Sequence, residues 1–252
     1  MSESISFSAS GEDAAMIAAF KDAQDNFKYF WRELSWEYRR IIPALSMAAV
    51  KVAFSQQFED EDEPVVEHMW INEIDFDGDT ITGTLINTPN ELTNVNNGDA
   101  VTIPVSQISD WLIIFDGKPY GGYTMQVMRA NMEEEERTEH DEAWGLTFPD
   151  NGTVYVILNQ DEKPENLEEH PMSKNMEQSF IEFLQQHPAE VATADEEGYT
   201  LLHRETIAGN KTSVAILLQN GADKEARNNK GKTAFDYARQ LNWQHLIPLF
   251  SK

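Results

Sequence analysis

A short phrase occurs twice near the end of this 252-residue chain, at an interval of 33 residues. The first copy is Asp195-Glu-Glu-Gly-Tyr-Thr-Leu-Leu-His203, and the second is Asn229-Lys-Gly-Lys-Thr-Ala-Phe-Asp236. Thr200 in the first copy corresponds to Thr233 in the second. A period of this length is typical of stacked repeats, in which each unit buries its apolar face against a neighbour. The period therefore predicts a short array of helical units at the C-terminal end.

These two phrases resemble ankyrin repeats, and the resemblance implies a β-turn followed by two antiparallel helices in each unit. Thr200 would cap the first helix, and Gly221 would end the second in the left-handed conformation. An earlier, degenerate unit is predicted to begin near Pro171, which gives two to three units over residues 171–252. So short an array needs additional support. Glu205 stands where a small residue normally packs, so we expect its carboxylate to contact a partner in the preceding domain.

The composition indicates which partners the chain attracts. Its net charge is −25, and −22 of that charge lies in residues 1–165. Such a field repels nucleic acid and anionic membranes and attracts a basic protein partner, while solubility alone is the alternative explanation. The absence of cysteine excludes disulfides, thiolate nucleophiles and Cys-ligated zinc. A polar start and the lack of a long apolar run predict a cytoplasmic protein with no membrane partner.

Hydrophobic patterning divides the chain into four predicted segments. It also predicts an α+β fold class. A polar tail over 1–11 precedes an acidic α+β domain over 12–160, a linker over 161–170 and the ankyrin repeats over 171–252. The stripe from Met16 to Tyr38 predicts a long helix packed on an antiparallel sheet. Glu133 to Glu136 indicate a charged helix. Strands are predicted over residues 50–54, 67–74, 80–86, 100–105, 109–115 and 153–158.

The acidic domain contains a series of short motifs in a fixed order: Glu67-His-Met-Trp70, Gly98-Asp99, Ile108-Ser-Asp-Trp111, Gly121-Gly-Tyr-Thr124, Trp144-Gly145 and Phe148-Pro149. In this combination the domain resembles the bacterial domain-of-unknown-function family numbered 2314 over roughly residues 12–150. The resemblance implies a small α+β fold and no established activity. Proteins that join such a domain to ankyrin repeats resemble bacterial accessory proteins encoded near secreted toxins.

Motifs for chemistry are weak, and no catalytic residue, metal or cofactor is predicted. Asp75, Asp77 and Asp79 alternate as calcium ligands do, but Ile86 occupies the position of the bidentate glutamate, so we predict a hairpin turn. The six histidines lack the spacing of a helical metal pair. His203 is expected to hydrogen-bond the turn between repeats. No nucleophile elbow or phosphate-binding glycine loop occurs.

The favoured hypothesis is a non-enzymatic protein–protein interaction protein. Its concrete form is an immunity or escort protein for a bacterial secreted toxin, which would be the basic partner. Ankyrin arrays bind through their turn tips and inner helix faces. The predicted partner-binding residues are Asp195, Glu196, Glu197, Tyr199, Arg204, Asn228, Asn229, Lys230 and Tyr237.

An alternative hypothesis assigns ligand binding or enzymatic activity to the acidic domain. It requires a histidine and several aromatic side chains to converge on one concave, water-accessible pocket. The residues of this predicted groove are His68, Trp70, Trp111, Tyr120 and Tyr123.

Overall fold

A computed structural model of the protein describes residues 14–251. The predicted polar tail over 1–11, the start of the predicted acidic domain and the last residue of the predicted array lie outside the described residues. The described residues form a six-stranded antiparallel sheet and nine α-helices, which confirms the mixed helix-and-sheet composition. The ankyrin assignment of the C-terminal helices stays a prediction.

The first helix, α1, spans Ala14–Glu37 and confirms the long apolar stripe. Its buried side chains recur at intervals of three and four residues, so they lie on one side of the helix. Tyr38, predicted as the last member of the stripe, follows the helix and is 56% exposed. The buried members include Met16, Ala23, Phe27, Phe30, Trp31 and Leu34.

The sheet has the strand order β4-β3-β2-β1-β5-β6, with β1 near its centre. Val50 of β1 lies opposite Ile71 on one neighbouring strand and Trp111 on the other. All three side chains are fully buried, because apolar residues recur at every second position of the paired strands. The strands are β1 Met47–Gln56, β2 Val65–Phe76, β3 Thr80–Leu85, β4 Ala100–Pro104, β5 Ile108–Phe115 and β6 Lys118–Gly121.

The strand predicted over residues 153–158 is wrong, because this segment is a loop. Its apolar residues pack without a strand partner: the Gly121 amide donates to the Tyr155 carbonyl at 2.8 Å, and no regular ladder follows. Two elements that the sequence analysis did not predict precede it, strand β6 and helix α2 (Tyr123–Ala130). The charged helix is confirmed as α3 (Glu134–Trp144), whose first turn is acidic, as the helix dipole favours.

The chain forms two compact units built from interleaved segments. The first, which we call the sheet unit, comprises the described residues 14–27, 45–75 and 81–155. The second, which we call the repeat unit, comprises residues 28–44, 76–80 and 156–251. The predicted domain boundary within 161–170 therefore stays a prediction, since the compact units do not divide the chain at one point.

The helices of the repeat unit follow one another in pairs around an apolar core. Leucine, valine and alanine from successive pairs pack with Trp243 in this core. The buried members include Leu184, Leu202, Val214, Leu217, Ala238 and Leu246. The helices are α4 Pro171–Asn175, α5 Glu177–Gln186, α6 Leu201–Ile207, α7 Lys211–Gln219, α8 Ala234–Gln240 and α9 Ile247–Phe250.

Candidate protein-interaction site

The 33-residue period appears in the structure as two helices that begin with the same cap. Thr200 precedes α6 and Thr233 precedes α8, and each forms a capping box with the third residue of its helix. At the second box the Thr233 amide donates to Asp236 Oδ2 at 2.8 Å. This reciprocal bonding satisfies amides that a helix start otherwise leaves unpaired. The spacing predicted for these caps is therefore confirmed.

His203 occupies the third helical position of the first capping box, where glutamate or glutamine is usual, and it also hydrogen-bonds the loop before α8. Its Nδ1 accepts a hydrogen bond from the Thr200 amide at 3.2 Å, which leaves Nε2 to donate to the Lys232 carbonyl at 3.1 Å. Burial lowers the pKa of His203, which favours this neutral tautomer. The expected structural role of this histidine is confirmed.

The loops before α6 and α8, which we call the first tip (residues 195–199) and the second tip (residues 228–232), are bonded to each other. The Asn229 amide donates to the Glu197 carbonyl at 2.9 Å, and Asn229 Nδ2 donates to the Glu196 carbonyl at 3.0 Å. Asp195 of the first tip also pairs with Arg204 of α6 at 2.5 Å. The two tips therefore form one continuous surface.

An acidic turn from the β2–β3 hairpin, Asp77-Gly78-Asp79, lies on the second tip. Lys230 Nζ lies 2.6 Å from Asp77 Oδ2, and Lys232 pairs with Asp79. The predicted hairpin turn is confirmed, since Asp77 Oδ1 accepts the Asp79 amide at 2.8 Å. Its two carboxylates, weighed above as calcium ligands, bind lysines instead.

Gly78 brings the backbone of the acidic turn into direct contact with α8. Its carbonyl accepts a hydrogen bond from Gln240 Nε2 at 2.7 Å. With φ of +96°, the residue is in a conformation that glycine adopts readily. A Cβ at this position would lie 2.5 Å from Cε1 of Tyr237. Only glycine therefore permits this approach.

Tyr237 connects the acidic turn with both tips. Its hydroxyl donates to Asp79 Oδ2 at 3.1 Å, accepts from Asn228 Nδ2 at 2.8 Å and lies 3.0 Å from the Tyr199 hydroxyl. Burial raises the pKa of Tyr237 well above its ordinary value, so the hydroxyl keeps the proton it donates. Tyr199, Asn228 and Tyr237, all predicted to contact a partner, are instead buried in this network.

The remaining predicted partner-binding residues lie at the surface of the repeat unit. Arg204 is partly exposed beside its ion-pair partner in the first tip. The sequence analysis did not predict that Lys232 and Gln240 would join this surface, because their partners lie more than 150 positions away. The exposed members of the predicted set are Asp195, Glu196, Glu197, Asn229 and Lys230.

The acidic turn should make the stability of the repeat unit depend on pH. Burial raises the pKa of Asp77 and of Asp79, but the lysine and amide donors outweigh it, so both pKa values lie below the ordinary value of 3.8. Carboxyls with a depressed folded pKa stabilise the protein above their unfolded pKa, and that contribution is lost as the pH falls through the folded pKa. We expect Lys230→Met/Lys232→Met to cost roughly 1–2 kcal/mol at pH 7, and we expect this cost to fall as the pH decreases below 3.8 and the carboxyls become protonated.

Urea unfolding of both proteins at pH 7, 4 and 2 measures this effect. Lys118→Met is the control, because Lys118 is an exposed lysine outside both tips. An equal cost of the double substitution at pH 7 and pH 2 would contradict the assignment of these ion pairs.

Glu205 is the centre of a second buried network in the repeat unit. Its carboxylate, in a residue only 4% exposed, accepts from Arg39 Nη2 at 2.8 Å and from Asn210 Nδ2 at 2.8 Å. The indole of Trp36 donates to Asn210 Oδ1 at 3.0 Å. Glu205 was predicted to contact the preceding domain, and Arg39 does come from the segment assigned to that domain, but the structure places Arg39 and Glu205 in the same compact unit.

Arg32 joins the end of α1 to the segment predicted as a linker. This side chain is 1% exposed and donates to the carbonyls of Asn166 and Leu167 at 2.8 Å and 3.1 Å. Its guanidinium also lies over the rings of Tyr29 and Trp243, at 5.0 Å and 5.4 Å from their centroids. Residues 166 and 167 are thus fixed within the repeat unit.

Three of the five predicted groove residues belong to the core of the sheet unit. Trp111, Tyr120 and Tyr123 are between 0% and 7% exposed. Trp111 Nε1 donates to the Ala23 carbonyl at 3.0 Å, and its ring meets Tyr123 edge-on with centroids 5.8 Å apart. These aromatic side chains fill space between elements and present no surface to a ligand.

The other two predicted groove residues project from the opposite face of the sheet. Trp70 lies opposite Lys51 in β1, whereas Trp111 lies opposite the adjacent residue, Val50. Neighbouring residues of a strand point to opposite faces, and His68 shares the face of Trp70. The structure therefore does not bring the five residues of the predicted groove together.

His68 takes part in a hydrogen-bonded cluster that sequence analysis missed. Its Nδ1 lies 2.7 Å from Ser109 Oγ, which also donates to the Lys51 carbonyl at 3.2 Å, and its ring stacks on Phe20 at 5.2 Å. Burial and the neighbouring Lys51 lower the pKa of His68. Ser109 is only 2% exposed, so this serine is not presented as a nucleophile.

Asp110 joins two of the motifs on which the family resemblance rests. Its carboxylate is fully buried and accepts from the amides of Trp111 at 2.8 Å, Tyr123 at 2.9 Å and Thr124 at 2.8 Å. The Thr124 hydroxyl adds a fourth bond at 2.6 Å. Burial raises the pKa of Asp110, while these four donors oppose the shift. The carboxylate thereby fixes the start of α2 against β5.

Glu67, from a third motif, has a comparable structural role. Its carboxylate accepts the amides of Asn90 at 2.9 Å, Glu91 at 2.6 Å and Leu92 at 2.9 Å. Burial raises the pKa of Glu67, but these three donors outweigh it and leave the pKa below its ordinary value. In both motifs an acidic side chain organises the backbone of a loop or helix start.

Neither a metal site nor a membrane span is found in the described part of the chain. Across residues 14–251, no three His, Asp or Glu side chains are grouped so that they could bind a metal ion. The helices of the same range are all too short or too polar to cross a bilayer.

Comparison with known proteins gives a family match and two relatives. Residues 13–148 match the family described as "Uncharacterized protein conserved in bacteria (DUF2314)". A Neisseria meningitidis serogroup B protein named "Putative ankyrin repeat protein" is 47% identical over 99% of this chain and 98% of its own length. The Escherichia coli K12 protein named "Uncharacterized protein YegJ" is 33% identical over 29% of this chain and 48% of its own length. No solved structure matches the chain.

Proposed function

The chain belongs to the bacterial DUF2314 family, and we propose that it is a non-enzymatic protein that binds another protein through the tips of its repeat unit. The name of its Neisseria relative supports an ankyrin-type interaction role. The observation that carries the proposal is the pair of tips, which adjacent capping boxes position and which direct hydrogen bonds join into one surface.

The roles of the family motifs support the non-enzymatic part of the proposal. The carboxylates of Asp110 and Glu67, which belong to two of these motifs, accept hydrogen bonds from backbone amides. A general acid, base or nucleophile needs access to a substrate. Ser109 beside His68 lacks that access because it is buried.

The charge distribution supports a basic partner. Among the described residues, the sheet unit has 22 acidic and 5 basic residues, whereas the repeat unit has 19 acidic and 13 basic residues. The first tip adds three consecutive exposed carboxylates, Asp195, Glu196 and Glu197. Opposite charge accelerates the encounter of two proteins. The specific form of the proposal is an immunity or escort protein for a basic toxin secreted by the bacterium.

Co-purification of the tagged full chain from its native host at low salt tests this function. We expect one stoichiometric protein partner, and we expect Glu196→Lys/Glu197→Lys to reduce its recovery roughly tenfold by reversing the charge of the first tip. Glu225→Lys is the control, because Glu225 is exposed outside both tips. Recovery of no stoichiometric partner, or equal recovery with the charge-reversed tip, would contradict the proposal.

A further inference from the structure

We propose that the second tip and α8 form a binding site for an acidic reverse turn of a partner protein, and that the chain's own acidic turn occupies this site when the partner is absent. This inference rests on the proposed function, since it names the chemistry that the repeat unit recognises. It also extends that function, because it assigns to the second tip a ligand of opposite charge to the one expected at the first tip.

Among the described residues, the side chains of the site donate hydrogen bonds to the acidic turn. Lys230 and Lys232 direct ammonium groups at the two carboxylates of the turn. Gln240 Nε2 donates to the Gly78 carbonyl at 2.7 Å, and the Tyr237 hydroxyl donates to Asp79 Oδ2 at 3.1 Å. A surface of this kind fits a segment rich in acceptors and repels a basic one.

The shape of the site further restricts the occupant to a turn with glycine at its centre. The ring of Tyr237 lies so close to Gly78 that a Cβ there would approach within 2.5 Å of Cε1. Two acidic residues separated by glycine therefore satisfy both the charge and the shape of the site. The ligand class is an Asp-Gly-Asp turn.

The occupant is held by contacts that a competitor can replace. The Lys230 side chain is 41% exposed and that of Asp77 is 28% exposed, so solvent and salt weaken their attraction. The turn is also formed independently of the lysines, because Asp77 Oδ1 accepts the amides of Asp79 and Thr80, each at 2.8 Å. Release of the turn from the site thus leaves its own hydrogen bonds intact.

The test uses the full chain and a fluorescent, disulfide-closed synthetic peptide that carries residues 75–81 between two added cysteines. Asp77→Lys/Asp79→Lys should expel the internal turn, because like charges would then face Lys230 and Lys232. Fluorescence anisotropy should show that this variant binds the peptide at least roughly tenfold more tightly than the unmodified chain does. Asp77→Asn/Asp79→Asn gives a milder second variant, for which we expect an intermediate affinity.

Two controls establish where the peptide binds. Asp75→Lys, which changes a neighbouring exposed acidic residue, should leave peptide binding as weak as in the unmodified chain. Addition of Lys230→Gln/Lys232→Gln to the expelled-turn variant should reduce peptide affinity at least roughly tenfold. Circular dichroism confirms that each variant is folded.

The inference is overturned if neither turn variant binds the peptide more tightly than the unmodified chain, or if binding survives the loss of both lysines. Its failure is distinct from failure of the proposed function. A partner recovered by co-purification without peptide binding would retain the interaction role and reject the acidic-turn site. Peptide binding without any recovered partner would reject the interaction role.

Discussion

Replacement of Asp110 by alanine should lower the free energy of unfolding by about 3–5 kcal/mol. The carboxylate is fully buried, and it accepts three backbone amides and the Thr124 hydroxyl. Alanine would leave these donors without their acceptor in a place that water does not reach. Each unpaired buried donor costs its desolvation energy, which is why a single substitution has so large an effect.

Urea unfolding of the full chain at pH 7 measures this loss. Asp110→Asn should cost less than Asp110→Ala, because the asparagine carbonyl oxygen still accepts hydrogen bonds. Its amide group would face other donors, so part of the loss remains. Asp60→Ala, at an exposed loop position, is the control and should change the free energy of unfolding by less than about 0.5 kcal/mol. If Asp110→Ala matched Asp60→Ala, the four hydrogen bonds would not hold α2 against β5.

The second large effect is expected at Glu205, where alanine should cost about 2–4 kcal/mol. The substitution leaves Asn210 Nδ2 unpaired and removes the anion beside Arg39. The cost is below that of a fully buried ion pair, because the Arg39 side chain is 40% exposed and solvent can take over part of its interaction.

A double-mutant cycle of Glu205→Ala with Arg39→Ala separates the ion pair from the rest of the network. We expect a coupling free energy of roughly 1 kcal/mol, with the larger part of the loss due to Asn210. Glu225→Ala is the exposed control in the same unit. A Glu205→Ala protein as stable as the control would show that the network contributes nothing.

Periodicity predicted much of the local structure. The apolar stripe of α1, the hairpin of β2 and β3 and the helix caps at Thr200 and Thr233 each depend on residues close in sequence, so pattern and turn chemistry suffice. Residues 153–158 have the composition of a strand, but a strand also requires a hydrogen-bonding partner, which the pattern of one segment cannot reveal.

The candidate site was predictable only in part, for a similar reason. The tips follow from the repeated phrase, whereas the occupant of the second tip comes from a hairpin 153 residues earlier. The pattern around Asp77 and Asp79 predicts a turn, but nothing near them in the sequence identifies Lys230 and Lys232 as their partners. Burial of Tyr237 likewise depends on this distant segment, which is why sequence analysis placed it at the surface.

The repeat unit is built from three separate stretches of the chain, so its C-terminal helices cannot be excised or transferred to another protein without losing contacts. Trp36 and Arg39 contact residues 174 and 166 positions later, so a fragment that begins at residue 156 would lack side chains that complete its interior. Contacts this distant in sequence slow folding, because long loops must close before they form. If the C-terminal helices were grafted alone onto another protein, Glu205 and Asn210 would lose their partners Arg39 and Trp36.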